Sequence, residues 1–143
     1  FQETFKIKNS TSGLMNNTED LMQMLNLQNM NILQQNKQVP FVDRVLNPRN
    51  YPSPSIFDDA GRMQTHFMSA TPDKDGNWFA YPNIVFENGK YRKVNKNEDE
   101  ALAEAIKNKN VVSFGKDKNS ALNFSKNYEP LEFKEYYKGL LQE

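Results

Sequence analysis

The apolar positions of this chain fall into a helical stretch, a proline-broken stretch, and then alternating strand-like and helix-like rhythms. Residues 17–36 read as a helix, with Asn17 placed to cap it and Glu19 and Asp20 in a first turn that favours negative charge. On a helical wheel Leu21, Leu25 and Ile32 fall on one line. Met22, Met24 and Leu33 flank that line, and Leu27 and Met30 lie opposite. A surface helix needs one apolar stripe, whereas this one is apolar around much of its circumference. It also carries Asn26, Asn29 and Asn31, which are poor helix formers, so its stability must come from packing. Two readings stand: a core helix of the same domain, or a helix docking into another subunit with methionine as an adaptable filler.

Residues 38–60 hold Pro40, Pro48, Pro52 and Pro54. Proline restricts its own φ and pushes the preceding residue toward extended conformations. The pattern predicts at most one helical turn over 41–46, then an irregular run pinned by Phe41, Val42, Val45, Leu46, Tyr51 and Ile56. Before the helix, residues 1–16 offer only Phe1, Phe5 and Ile7 as isolated apolar points, which reads as an extended arm or tail.

From residue 61 the rhythm becomes compact. Thr65–Ala70 and Trp78–Phe86 read as strands joined by the turn Asp73–Asn77, and Pro82 inside the second argues for an edge position or a bulge. Glu87-Asn88-Gly89-Lys90 is an Asn-Gly hairpin signal returning into Tyr91–Val94, which makes a three-strand antiparallel meander. Asn97 and Glu100 match a capping box ahead of a helix whose apolar face is Leu102, Ala105 and Ile106. Val111–Phe114 reads as a short buried strand. Asp117 is placed to cap a helix at 118–127 that turns Ala121, Leu122 and Phe124 inward. Beyond Pro130 a last helix, about 131–142, repeats Phe133, Tyr136, Tyr137, Leu140 and Leu141 at helical spacing.

The predicted fold is α+β: a small antiparallel sheet of three to four strands packed by two to three helices, with an N-terminal helical arm. The expected divisions are 1–38 (extended segment and docking helix), 39–60 (proline-rich anchored loop), 61–128 (compact domain) and 129–143 (C-terminal amphipathic helix).

Composition narrows the chemistry. The 143 residues suit one domain with a modest core and an appended arm. Lys plus Arg is 18 and Asp plus Glu is 18, so the chain lacks the cationic excess of a default nucleic-acid binder. A mean hydropathy of -0.84 and the lack of a long apolar run argue against a membrane span. There are no cysteines and one histidine, which removes thiolate chemistry and makes a histidine-based metal site a poor expectation. No cofactor is expected. The chain begins with Phe1, without a basic-then-apolar leader, and reads as a piece of something longer.

Three chemical readings compete with plainer ones. Asp73-Lys74-Asp75-Gly76-Asn77 opens like a calcium loop, but Trp78 and Ile84 stand where glycine and glutamate are needed, so an Asp/Gly/Asn turn is favoured. His66 with Asp58, Asp59, Ser53 and Ser55 supplies the inventory of a hydrolytic triad, yet no nucleophile-elbow glycines surround either serine. The favoured reading makes Asp58, Asp59 and His66 structural, with the carboxylates stabilising a turn and the imidazole bridging it to the sheet. Trp78, Phe79, Tyr81, Phe86 and Tyr91 could form a stacking platform. Without a basic groove they read as core aromatics, Trp78 among them, with Pro82 part of the same structural motif.

A further set of motifs runs from Phe41 to about Tyr128. It comprises Phe41-Val42-x-Arg44-Val45-Leu46-Asn47-Pro48, Pro54-Ser55-Ile56-x-Asp58, Thr65-His66-x-Met68, Gly76-Asn77-Trp78-x-Ala80-Tyr81-Pro82-x-Ile84-Val85, and Ser113-Phe114-Gly115-x-Asp117-x-x-x-Ala121. In this order they resemble a small module of large virion-associated proteins of tailed bacteriophages and prophages, found beside tape-measure, internal, ejected and lytic proteins. The resemblance implies a virion location and binding or scaffolding more than chemistry, and it carries over no catalytic residues. The expected function is therefore a non-enzymatic structural or cargo component that binds other virion proteins, with a symmetric homo-oligomer as a further option. The docking residues would be Leu21, Met22, Met24, Leu25, Leu27, Met30, Ile32 and Leu33. The alternative is an accessory domain of a virion-associated peptidoglycan-degrading enzyme.

Overall fold

The computed structural model describes residues 18–141. The Asn17 cap and the segment through Phe5 and Ile7 lie outside them. Helix α1 (Thr18–Gln35) leads into α2 (Pro40–Leu46). Pro40 stands in the first turn of α2, where its missing N–H is not needed and its φ is already helical. The proline that would have broken the segment thus starts a helix of seven residues, longer than the single turn expected. A 3-10 turn follows at Pro48–Asn50.

Strands β1 (Met68–Pro72) and β2 (Trp78–Pro82) pair antiparallel, and β5 (Val112–Gly115) pairs antiparallel with the other edge of β2. Strands β3 (Ile84–Glu87) and β4 (Lys90–Lys93) form a separate hairpin. Its turn holds Asn88 at φ 53° and Gly89 at φ 77°, as an Asn-Gly type I′ turn requires. The fold is α+β, with α3 (Glu98–Lys107), α4 (Lys118–Asn127) and α5 (Leu131–Leu141) completing it.

The expected three-strand meander is corrected at Pro82. Pro82 is the last residue of β2, and β2 is the central strand of its sheet, not an edge. Lacking an N–H, proline ends the ladder there. The next two amides, Asn83 and Ile84, donate to the His66 carbonyl and swing the chain into the second sheet. The register shift falls instead between Trp78 and Phe79. The first strand also starts later than Thr65, because Phe67 has a left-handed φ of 49° that no strand accommodates.

Side-chain alternation along β2 gives the sheet two buried faces. Ala80 and, on β5, Val112 join a core with Leu33, Phe41, Val42, Val45, Phe124 and Phe133. Tyr81 and Phe79 point the other way, toward Ala101, Leu102 and Ala105 of α3. Ile106, expected on that apolar face, is exposed. Both expected caps are present: Asn97 Oδ1 accepts from the Glu100 amide, and Asp117 Oδ1 accepts from the Ser120 amide.

Candidate functional site

Among the described residues of α1, full burial is confined to its C-terminal part. Leu33 is fully buried in the larger core, and Asn29 is buried with its Nδ2 donating to the Asn127 carbonyl at 3.0 Å. No residue from 18 to 28 is buried. Leu21, Met22, Leu27 and Met30 are between 37% and 44% exposed. Met24, Leu25 and Ile32 are half-buried. Of the eight apolar positions expected to meet a partner, Leu33 is therefore corrected to a core residue of this chain, with Ile32 packed beside that core.

Met30 also borders a groove of about 1260 Å³ between the C-terminal part of α1, the α2–3-10 segment and the start of α5. Leu46, Pro48, Leu131 and Tyr136 give it apolar walls, while Lys37, Asp43, Glu132 and Glu135 make its rim mixed in charge. Leu131 is among the most exposed apolar side chains of the described residues. Arg49 lies 4.9 Å from the centre of the Tyr136 ring.

The sole histidine is sealed. His66 has no exposed surface, and Phe41, Tyr128 and Phe133 surround its ring at centroid distances of 6.1, 5.5 and 5.6 Å. Arg44 Nε donates to His66 Nε2 at 3.0 Å, and Nδ1 lies 3.0 Å from the Tyr128 hydroxyl. An arginine only donates, so Nε2 must be the bare nitrogen and Nδ1–H must donate to Tyr128. Burial, reinforced by the Arg44 charge, holds the imidazole well below its ordinary pKa. Arg44 is itself buried, and its Nη2 donates to the carbonyls of Thr65 and Ile84. Its guanidinium lies 5.2 Å from the centre of the Tyr91 ring. Burial lowers its pKa, and burial raises that of Tyr128.

Asp58 does not reach His66. Its Oδ1 accepts from the amides of Ala60 and Arg62, and Oδ2 pairs with Arg62 Nε at 2.9 Å. Those bonds hold its pKa below the usual carboxylate value. Asp59 is exposed on the same turn. The expected bridge from the Asp58 turn through the imidazole is thus replaced by one from α2 to Tyr128. Trp78 is half-buried at the start of β2, opposite Gly115, with Lys118 Nζ 5.5 Å from its ring centre. It is not a core anchor. That place belongs to Tyr81, whose hydroxyl lies 3.2 Å from Thr71 Oγ1. Among the described residues no group of three or more His, Cys, Asp or Glu could hold a metal ion, and no helix is long and apolar enough to cross a membrane.

Sequence reasoning missed Arg44 as a structural residue, together with its acceptors. The available signal was a lone cation inside the apolar run Phe41–Leu46. Comparison with protein-family models, with curated proteins and with solved structures finds no match.

Proposed function

We propose that this chain is a non-enzymatic structural or cargo component of a tailed-phage virion, docking onto neighbouring subunits through α1. The observation that carries the docking role is the uncovered apolar half of α1. Ordering an 18-residue helix that its own body covers only at one end is unfavourable without further contacts. The virion assignment rests on the resemblance of residues 41–128. Many of its motif residues, including Phe41, Val42, Arg44, His66, Ala80, Tyr81 and Ala121, are interior. That so many of the motif residues lie in the interior supports a scaffold and a binding role over a catalytic one. The enclosure of His66, with both ring nitrogens engaged, supports the same reading.

The test is sedimentation of particles from cells producing the tagged chain. The chain should travel with the particle band, and Leu27→Asp should leave it at the top of the gradient while the free protein keeps its melting temperature. A wild-type chain that never enters the particle band overturns the proposal.

A further inference from the structure

Between the start of β1, the end of β4 and the start of α3 lies a cleft of about 420 Å³. The buried Tyr81 and Ala101 form its floor, and Ser69, Asn83 and Asn95 line its walls. Phe67 stands at its lip, 52% exposed, with a φ of 49°. A left-handed φ suits glycine or asparagine and is strained for a bulky side chain. The backbone turn itself is fixed by Asn83, whose amide and Nδ2 both donate to the Phe67 carbonyl, at 3.1 and 2.8 Å. That turn does not call for a phenyl ring, and the Phe67 ring belongs to neither apolar core. The strain therefore holds an aromatic face at the mouth of a polar cleft.

We infer that this cleft binds a neutral pyranose saccharide, with Phe67 stacked on the C–H face of one sugar ring. The site is independent of the docking role of α1. Sugar hydroxyls both donate and accept, and so do the amide side chains that line the cleft. Two of these amides have capacity to spare. Asn95 is exposed and gives its side chain to no hydrogen bond among the described residues. Asn83 spends its Nδ2 on Phe67 and Ser69, which leaves Oδ1 to accept. Asn97, by contrast, spends both ends of its amide on Glu100. Lys93 Nζ, 5.4 Å from the centre of the Phe67 ring, adds a donor at the lip. The electron-rich ring face that attracts this ammonium attracts the polarised C–H bonds of a pyranose in the same way. Charge argues against an anion. Glu98 lines the cleft, Asp99 and Glu100 add two carboxylates to the same first turn of α3, and Lys96 is already paired with Glu104. The volume falls at the small end of ligand sites, which run from about 300 to about 1,000 Å³, and suits a mono- or disaccharide.

Amide NMR of the full chain, titrated with methyl glucoside, N-acetylglucosamine, cellobiose and chitobiose, tests this. At least one of these sugars should shift the amides of Phe67, Ser69, Asn83 and Asn95 and saturate with a Kd on the order of 1 mM, as suits a small open site with a single stacking ring. Phe67→Asn should weaken binding about tenfold or more while the melting temperature holds or rises, because asparagine tolerates the left-handed φ. Phe67→Tyr keeps the ring and should keep the affinity. Asn95→Ala should weaken binding about threefold to tenfold with no change in melting temperature. A chain that responds to none of the four sugars overturns the inference, as do shifts that miss these residues. An affinity that survives both Phe67→Asn and Asn95→Ala overturns it too. A large fall in the melting temperature of Phe67→Asn makes the ring a structural element and removes it from the site. If inorganic phosphate shifts the same amides and the sugars do not, the cleft is an anion site and the saccharide assignment falls.

Discussion

Arg44 and His66 share a hydrogen bond of 3.0 Å in which a charged guanidinium donates to a bare imidazole nitrogen. The pair joins α2 to the loop that precedes β1, and the second ring nitrogen extends the link to Tyr128 behind α4. One neutral histidine thus ties three segments together, and it can do so only unprotonated. A proton on Nε2 would destroy the acceptor and set two cations against each other in a buried site.

This gives a signed pH dependence. The folded-state pKa of His66 lies well below that of the unfolded chain, so below about pH 6.5 only the unfolded state takes up this proton. The penalty is absent above that pH and grows by about 1.4 kcal/mol per pH unit as the pH falls, until the folded-state pKa is reached. Urea unfolding of the wild type and of His66→Gln between pH 7.5 and 5 should show the slope in the former and a flatter profile in the latter. The carboxylates whose bonds lower their pKa, such as Asp73 and Asp117, act in both proteins and at lower pH. Equal slopes in the two proteins would remove His66 as the source.

The two large aromatics Phe124 and Trp78 should behave differently. Phe124 is fully buried against Phe41 and Phe114, so Phe124→Ala should cost roughly 3–5 kcal/mol. Trp78 sits half-exposed at a strand end, and Trp78→Ala should cost only about 1–2 kcal/mol. Chemical denaturation ranks them, and a larger loss at Trp78 would contradict the placement.

Asn97 and Asp117 cap separate helices and share no partner. Alanine at either should lower stability by about 1 kcal/mol. The double substitution should equal the sum within about 0.5 kcal/mol. Thermal unfolding of the three variants checks the sum.

Shortened chains should locate the true edge of the folded body. A chain starting at residue 29 keeps Leu33 and the Asn29–Asn127 bond, and its stability should fall by less than about 1 kcal/mol. A chain starting at residue 39 loses Leu33 from the core and should fall by about 2–5 kcal/mol. Matching midpoints for the two would return α1 in full to the role of an appended arm. The core therefore crosses the expected division at residues 38 and 39.

Local signals were legible in the sequence wherever one residue acts on its near neighbours. The Asn88-Gly89 turn, the Asn97 and Asp117 caps, and the helical spacing of Phe133 and Tyr137 all appear where expected, because turn dihedrals and capping bonds are settled within a few residues. The apolar circumference of α1 was equally visible. Only tertiary structure decided which part of it the body covers, since Leu33 is buried in a core that also holds residues of α2, α4 and α5, and Leu27 is not. Pro82 announced an interruption, but the choice between an edge, a bulge and a change of sheet depended on the His66 carbonyl, which lies sixteen residues earlier in the chain. The partner of His66 was the least legible feature. Asp58 is close in sequence and spends its oxygens on its own turn, whereas Arg44 and Tyr128 come from 22 residues before and 62 after. Burial makes those distant bonds necessary, because a polar ring without water must find donors and acceptors among whatever the packing brings to it. The sequence by itself determined the turns, the caps and the helical spacing; the closing of α2, α4 and α5 around one imidazole decided what that residue does.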